Sequence, residues 1–238
     1  MEDKPNLDET KTDLAVALTK GALSAVPLVG GIAAEIVGTL IPKQRLDRLA
    51  EFLMILGEKV AGVEQEVLEQ KMKTEEFVDL LEDGMWQAAR ALTKERKEYI
   101  ASLLKNSLYY GELNHIQQKE LLSILNELND AQIIILKSKE FGYYSEAQQA
   151  FHERHKEVLQ PPMVHMGSAE EEVDESALYA AFVADLQRLG LVETTFKKPK
   201  KGELPEMDIK TGMMKAQSSR ITRLGKLLLR YIDMAEEE

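Results

Sequence analysis

The sequence predicts a mainly α-helical protein, in which a multi-helix bundle is followed by a small α+β domain. Three observations support this fold class. The 238 residues are 44% apolar and 30% charged, with only 14 Gly and 7 Pro, a composition typical of a globular, helix-rich chain. Apolar residues recur every three or four positions over most of residues 13–159, as they do on one face of a helix. Near the C-terminus, two short β-branched runs enclose a basic loop and precede another helical pattern.

The first element, residues 13–42, is predicted to be an apolar, glycine-rich helical hairpin. It contains most of the stretch Lys20–Lys43, whose only internal ionisable residue is Glu35. Pro27 and two glycines divide this stretch into two short helices, which are more easily buried in a bundle than placed across a bilayer that requires about 20 apolar residues. A membrane segment exposed only on activation and a permanent anchor are the alternatives. Small residues are expected to let another helix approach closely: Gly30, Gly31, Ala34 and Gly38.

The next element is a long helix predicted over residues 44–70. Its apolar residues are spaced alternately by three and four positions: Leu46, Leu49, Leu53, Leu56, Val60, Val63 and Val67. This heptad pattern is typical of a helix that packs along one seam against other helices. We expect the helix to lie within the bundle, and an intermolecular coiled coil is the alternative.

Further helices are predicted over residues 74–159, because each apolar periodic run follows a residue that can cap a helix N-terminus. These residues are Thr74, Thr93, Asn114 with Gln117, Asp130, and Ser145 with Gln148. The two residue pairs have the spacing of a capping box. Residues 161–174 contain two prolines, a glycine and an acidic run and predict a linker, so the bundle is placed in residues 1–160.

The C-terminal domain is predicted over residues 175–238. Its first helix begins after Ser176 and ends at Gly190, since glycine favours the left-handed conformation that ends many helices. The runs LVETTF and QSSRIT predict strands on either side of a basic loop, and RLGKLLLRYIDM predicts a final helix. This order resembles a winged-helix domain, in which a strand runs into a T-x-x-G turn that opens a helix. Thr222 and Gly225 hold those two positions.

The charge distribution separates an acidic body from a basic C-terminal stretch. The net charge is −11, but residues 197–230 contain ten Lys or Arg and three acidic residues, a local charge of +7. Basic residues here could contact nucleic-acid phosphates or a protein partner: Lys197, Lys198, Lys200, Lys201, Arg220 and Arg223. The preceding helix has acids at Glu175 and Asp185 and offers base-reading side chains only near its end, at Gln187 and Arg188. We therefore expect a protein partner in preference to DNA.

Catalytic and metal-binding chemistry is not indicated by the sequence. The chain has no Cys, which excludes disulfides and thiolate sites and favours a reducing cytoplasm. Its acidic, polar start is unlike a signal peptide. His152 and His155 could share a helix face, but two ligands do not form a zinc site. Phosphate-loop and nucleophile-elbow motifs are also lacking, so we expect a non-enzymatic protein without cofactor, metal or small-molecule substrate.

The middle of the chain contains three apolar helical segments in a particular order. A leucine-rich run, Ile100–Leu108, is followed by Leu121–Leu128 and by the aspartate-led segment Asp130–Leu136. This arrangement resembles bacterial abortive-infection alpha-type proteins, and the resemblance implies a role in phage defence by growth arrest or membrane damage. We therefore expect an interaction or adaptor protein that binds a protein partner or itself. A membrane-perturbing effector using residues 20–43 and a winged-helix DNA-binding regulator are the alternatives.

Overall fold

The computed structural model describes residues 43–109, 111–141, 145–196, 199, 202, 204–208, 212 and 214–235. The predicted hairpin, with Gly30, Gly31, Ala34 and Gly38, lies outside these residues, as do Lys197, Lys198, Lys200 and Lys201. The membrane hypothesis for residues 20–43 therefore stays a prediction. In the part of the chain that the structure describes, no helix is both long enough and apolar enough to span a membrane.

The chain forms two compact units, which divide between Glu127 and Leu128. The first unit contains the described residues up to Glu127 together with Tyr231–Asp233, and the second contains Leu128–Arg230 with the residues that follow Asp233. The fold is mainly helical, with one two-stranded antiparallel sheet among the described residues. The predicted fold class is confirmed at this level. The division does not fall in the predicted linker, residues 161–174.

Among its described residues, the first unit contains five helices: α1 (Lys43–Val60), α2 (Gln65–Lys71), α3 (Glu75–Arg90), α4 (Lys94–Tyr109) and α5 (His115–Glu127). Helices α1, α3 and α4 pack against one another, and α5 packs against α3 and α4. Predicted caps explain several helix starts. The Phe77 amide donates to the Thr74 hydroxyl, the Arg96 amide donates to the Thr93 hydroxyl, and Asn114 forms both hydrogen bonds of a capping box with Gln117.

The heptad seam of α1 is buried inside the first unit. Leu49, Leu53 and Leu56 have no exposed surface, so the seam packs within the chain. The predicted single helix over residues 44–70 is wrong, because a turn at residues 61–64 separates α1 from α2. This turn changes the helical phase. Val67, the last residue of the predicted seam, is 37% exposed, and Leu68 is buried in its place.

The second unit contains the remaining elements: α6 (Asp130–Ser138), α7 (Glu146–Arg154), α8 (Lys156–Leu159), α9 (Glu170–Arg188), β1 (Val192–Phe196), β2 (Ala216–Ile221) and α10 (Arg223–Tyr231), whose last residue belongs to the first unit. Helix α6 packs against α7, α8 and α9, and α9 also packs against β1. Ser145 caps α7 as predicted. Asn129 caps α6 in place of the predicted Asp130, because its side chain and that of Gln132 form a complete capping box.

Helix α9 begins at Glu170, six residues before the predicted Ser176, and occupies the last part of the predicted linker. The Glu172 carboxylate accepts a hydrogen bond from the Ala169 amide, and acidic residues in a first helical turn interact favourably with the helix dipole. The acidic run therefore starts the helix. At the other end, Gly190 has a φ of +70°, and the Leu191 amide donates to the Leu186 carbonyl, as in a Schellman ending.

The sheet and the T-x-x-G turn form one connected structure. Strands β1 and β2 pair antiparallel, with Val192 opposite Ile221. The Thr222 hydroxyl accepts a hydrogen bond from the Gly225 amide and caps α10. A Cβ atom at Gly225 would collide with the Leu191 carbonyl oxygen and would lie 2.7 Å from Ile221 Cγ1. Glycine is required there because the start of α10 lies directly against Leu191, the residue that precedes β1.

Candidate functional site

A groove of about 440 Å³ lies in the first unit, along α3 and α5. Two of its charged residues, Lys119 and Asp83, form a chain of ion pairs with the neighbouring Asp79: Lys119 Nζ lies 2.6 Å from Asp79 Oδ2 and 2.9 Å from Asp83 Oδ2. The hydrogen bond from Lys119 lowers the pKa of Asp79, although burial of the carboxyl opposes this change. Hydrogen bonds to Asp79 and Asp83 raise the pKa of Lys119. Asp79 and Lys119 therefore both remain charged near neutral pH.

His115, at the start of α5, lies beside this ion-pair chain. Its Nε2 atom is 2.9 Å from Asp79 Oδ2, and an ionised carboxylate can only accept, so Nε2 carries the hydrogen. Within the described residues, His115 Nδ1 is buried and has no hydrogen-bond partner, and the same holds for Gln87 Oε1. The imidazole is therefore oriented by Asp79, but neither of its nitrogens is open to a substrate in this geometry.

A second polar cluster is centred on Asp233. Its carboxylate accepts hydrogen bonds from Asn106 Nδ2, at 2.8 Å, and from Lys105 Nζ, at 2.9 Å. Asn106 is buried and also donates to the Tyr231 carbonyl. Burial of the carboxyl opposes its ionisation, but hydrogen bonds from Asn106, Lys105 and Ser102 outweigh burial and lower the pKa of Asp233. The cluster fixes the segment Tyr231–Asp233 to α4, which is a structural role.

Helix α9 carries the most unusual surface of the second unit. Five of its first six residues are acidic and exposed: Glu170, Glu171, Glu172, Asp174 and Glu175. Only Leu186 is buried among its 19 residues, and the apolar residues Val173 and Leu178 are 42% and 58% exposed. A helix of this length normally buries an apolar stripe. All residues of α9 other than Leu186 are therefore exposed or half-buried.

Two of the basic residues predicted as contacts are described, and they lie on β2 and α10. Arg220 is exposed on β2, and its Nε atom lies 2.5 Å from Glu193 Oε1 on β1. Arg223 is the first residue of α10 and is exposed, as are Lys226 and Arg230. The spacing of these three residues places them on one side of the helix. Lys226 and Arg230 therefore lie beside the predicted contact residue Arg223 on the exposed side of α10. Arg220 is less suited to bind a phosphate, because it already forms an ion pair with Glu193.

The sequence analysis does not predict two of these features, the acidic start of α9 and the Asp233 cluster. The first lies in the predicted linker, although the Ala169–Glu172 spacing and the three successive glutamates are signals for a helix start. The Asp233 cluster joins residues more than 120 positions apart in the chain, and no local pattern marks it.

No protein-family model, curated protein or solved structure was found to match this chain. The fold and its surfaces therefore provide the argument for function.

Proposed function

We propose that this chain is a non-enzymatic interaction or adaptor protein, and that its C-terminal module binds another protein through α9. The observation that carries the proposal is the surface of α9, which is acidic in its first two turns and buries only Leu186. Exposed apolar residues surrounded by charged ones are typical of protein interaction sites.

The proposed architecture of this module is a winged helix. The order α9, β1, a long connection, β2 and α10 supports it. The turn in which the Thr222 hydroxyl accepts a hydrogen bond from the Gly225 amide and caps α10 supports it as well. In this interpretation α9 occupies the place of the recognition helix, and residues 197–215 occupy the place of the wing.

The charge on α9 favours protein over DNA as its ligand. In helix-turn-helix proteins, residues at the N-terminal end of the recognition helix contact base edges in the major groove. Double-stranded DNA carries one negative charge per roughly 1.7 Å of its axis. The five acidic residues at the start of α9 would be repelled by that charge.

The proposed biological setting is phage defence, and it rests on the resemblance of residues 100–136 to abortive-infection alpha-type proteins. A plaque assay in the native host tests it. We expect deletion of the gene to raise the plating efficiency of at least one phage, and re-expression of the chain to lower it again. Unchanged plating across a broad phage panel would contradict this setting.

Chemical cross-linking of the full-length protein in its native host tests the interaction function. Ala181→Arg changes the exposed side of α9, and Glu82→Arg, at an exposed position of α3 in the first unit, is the control. We expect cross-linked partners, including other copies of the chain, to be lost in Ala181→Arg and kept in Glu82→Arg. An identical set of partners in both variants, or none in the wild type, would refute the proposal.

DNA binding is the second candidate function, and the exposed side of α10 with Arg223, Lys226 and Arg230 favours it. The test is fluorescence anisotropy with a 30-base-pair duplex between 50 and 200 mM salt. Arg223→Glu with Lys226→Glu should abolish a salt-dependent signal, whereas Lys71→Glu with Lys73→Glu, at exposed positions of the first unit, should not. Binding that survives the first pair would exclude this surface.

A further inference from the structure

The connection between α8 and α9 presents two methionine side chains to solvent. Met163 is 91% exposed, and Met166 is fully exposed. Methionine is more often buried, because its side chain is apolar, and Met72 and Met85 of the first unit are buried in this way. The thioether sulfur atoms of Met163 and Met166 are therefore accessible to a ligand in solution.

His165 lies between these two methionines and is also exposed. Its Nδ1 atom lies 3.4 Å from the carbonyl oxygen of Met166. A carbonyl oxygen can only accept a hydrogen bond, so this contact favours the tautomer in which Nδ1 carries the hydrogen and Nε2 keeps a lone pair. Histidines that bind a metal ion commonly donate their other ring N–H to a backbone carbonyl in the same manner. Nε2 is therefore the atom of His165 that can bind a metal.

The backbone that carries these side chains is held in a turn. The His165 amide donates to the Ser168 hydroxyl, and the Ser168 amide donates to the His165 carbonyl, each at 3.1 Å. Gly167 has a φ of +109°, which glycine adopts without strain. Pro161 and Pro162 restrict the backbone immediately before Met163. The segment is therefore restricted before any ligand binds, and such restriction lowers the entropy cost of binding.

Two thioethers and one imidazole within four residues form a set of soft donors. Met163 and Met166 are three residues apart, so their Cα atoms lie within about 11 Å, and flexible methionine side chains can reach one ion between them. Thioether ligands select Cu(I), and imidazole also binds copper. Among the described residues, no group of three or more His, Cys, Asp or Glu could hold a metal ion. This set differs from zinc ligands, whose absence underlies the expectation of a chain without metal.

We propose that Met163 Sδ, His165 Nε2 and Met166 Sδ together bind one Cu(I) ion. Three exposed glutamates, Glu170–Glu172, follow four residues after Met166, and their charge favours a cation over an anion near this segment. The site uses no side chain of α9. It is independent of the proposed interaction function, and either one can fail without the other.

NMR of the full-length chain, labelled with ¹³C at the methionine methyl groups, tests the site. Each of the ten methionines provides one methyl signal, which a single Met→Leu variant assigns. Ag(I) in chloride-free buffer is the first probe, because it is soft like Cu(I) and is not oxidised by air. Cu(I), supplied as its acetonitrile complex without oxygen, is the second. We expect the signals of Met163 and Met166 to shift together and to stop at about one equivalent of either ion. Those of the exposed Met54 and Met207 should not move, and Zn²⁺ should shift none of them.

Calorimetric titration of variants with Ag(I) identifies the ligands. Met163→Leu with Met166→Leu removes both sulfur atoms but keeps apolar side chains of similar size at exposed positions, so the fold is retained. Met54→Leu with Met207→Leu is the matched control, since these two methionines are 55% and 53% exposed. We expect the control to bind as the wild type does and the first pair to lose the binding step. His165→Ala should bind more weakly than the wild type.

Four results would overturn the site. The first is a shift of every exposed methionine signal in proportion to its exposure, which indicates an adventitious ion only. The second is a binding step that survives Met163→Leu with Met166→Leu. The third is an affinity that His165→Ala does not change. The fourth is a Zn²⁺-induced shift as large as that produced by Ag(I), because the proposed donors are soft.

Discussion

The carboxylate of Asp233 joins α4 to the segment Tyr231–Asp233, and Asp233→Asn tests its contribution to stability. Asparagine keeps the side-chain volume and tolerates the positive φ of 56°. The substitution removes the charge and places an NH₂ group against the donors of Asn106 and Lys105. A hydrogen bond to a charged group contributes about 1.5–3 kcal/mol, but the Asp233 side chain is 35% exposed, and solvent reduces this value. We expect the free energy of unfolding to fall by about 1–2 kcal/mol.

Urea denaturation followed by circular dichroism measures this change, with Glu82→Gln on the exposed surface of α3 as the control. The pH dependence gives a second readout. Because the folded-state pKa of Asp233 is lowered from 3.8, its contribution is present above that pH and is lost as the pH falls through the folded-state value. The difference between wild type and Asp233→Asn should be constant from pH 5 to 7 and should narrow below about pH 4. The stabilising role of Asp233 would be refuted if Asp233→Asn lost no more unfolding free energy than Glu82→Gln. It would also be refuted if the difference from wild type did not narrow in acid.

Three further sets of substitutions, five variants together, test packing within each unit by urea denaturation. Gly225→Ala should destabilise the second unit by at least about 1–3 kcal/mol, because the new methyl group collides with backbone and requires α10 to move; unchanged stability would contradict the close contact. Gly84→Val should lower the free energy of unfolding by about 1–3 kcal/mol, since even a Cβ atom at Gly84 lies 3.0 Å from a buried leucine of α4. Gly62→Val should lower it less, because a Cβ atom at Gly62 meets nothing within 4 Å. Glu51→Ala should lower the free energy of unfolding more than Lys97→Met does. Lys97 is 2% exposed and pairs with Glu51, so removing the acid leaves a buried charge uncompensated. Equal losses of stability in the two variants would count against that argument.

Local sequence signals predicted several features correctly. Thr74, Thr93 and Ser145 cap helices where expected, because a hydroxyl that can accept a hydrogen bond from the helix start acts within three residues of its own position. The α1 seam is buried from Leu46 to Val60, since heptad periodicity directly specifies a helix face. The T-x-x-G pattern identified the start of α10.

The predictions failed where two local signals competed. Residues 61–64 continue the heptad spacing, yet they form a turn, and burial of Leu68 and Met72 replaces that of Val67. The residues near Glu170 have the composition of a linker, but they begin a 19-residue helix. Composition and periodicity are properties of ten or more residues together. A helix boundary depends instead on a single hydrogen bond or a single buried side chain.

The sequence by itself determined the helical class, the buried seam of α1 and most helix starts, because these depend on contacts within a few residues of chain. Only the tertiary structure decided which helix faces are covered. Helices α1 and α9 have similar lengths, 18 and 19 residues, yet the apolar seam of α1 is buried against α3 and α4, and α9 buries only Leu186. The Asp233 cluster also required the fold, because its partners are brought together from distant parts of the chain by the packing of other elements. Burial depends on the whole arrangement of helices, and a periodic pattern specifies only a face that is able to be buried.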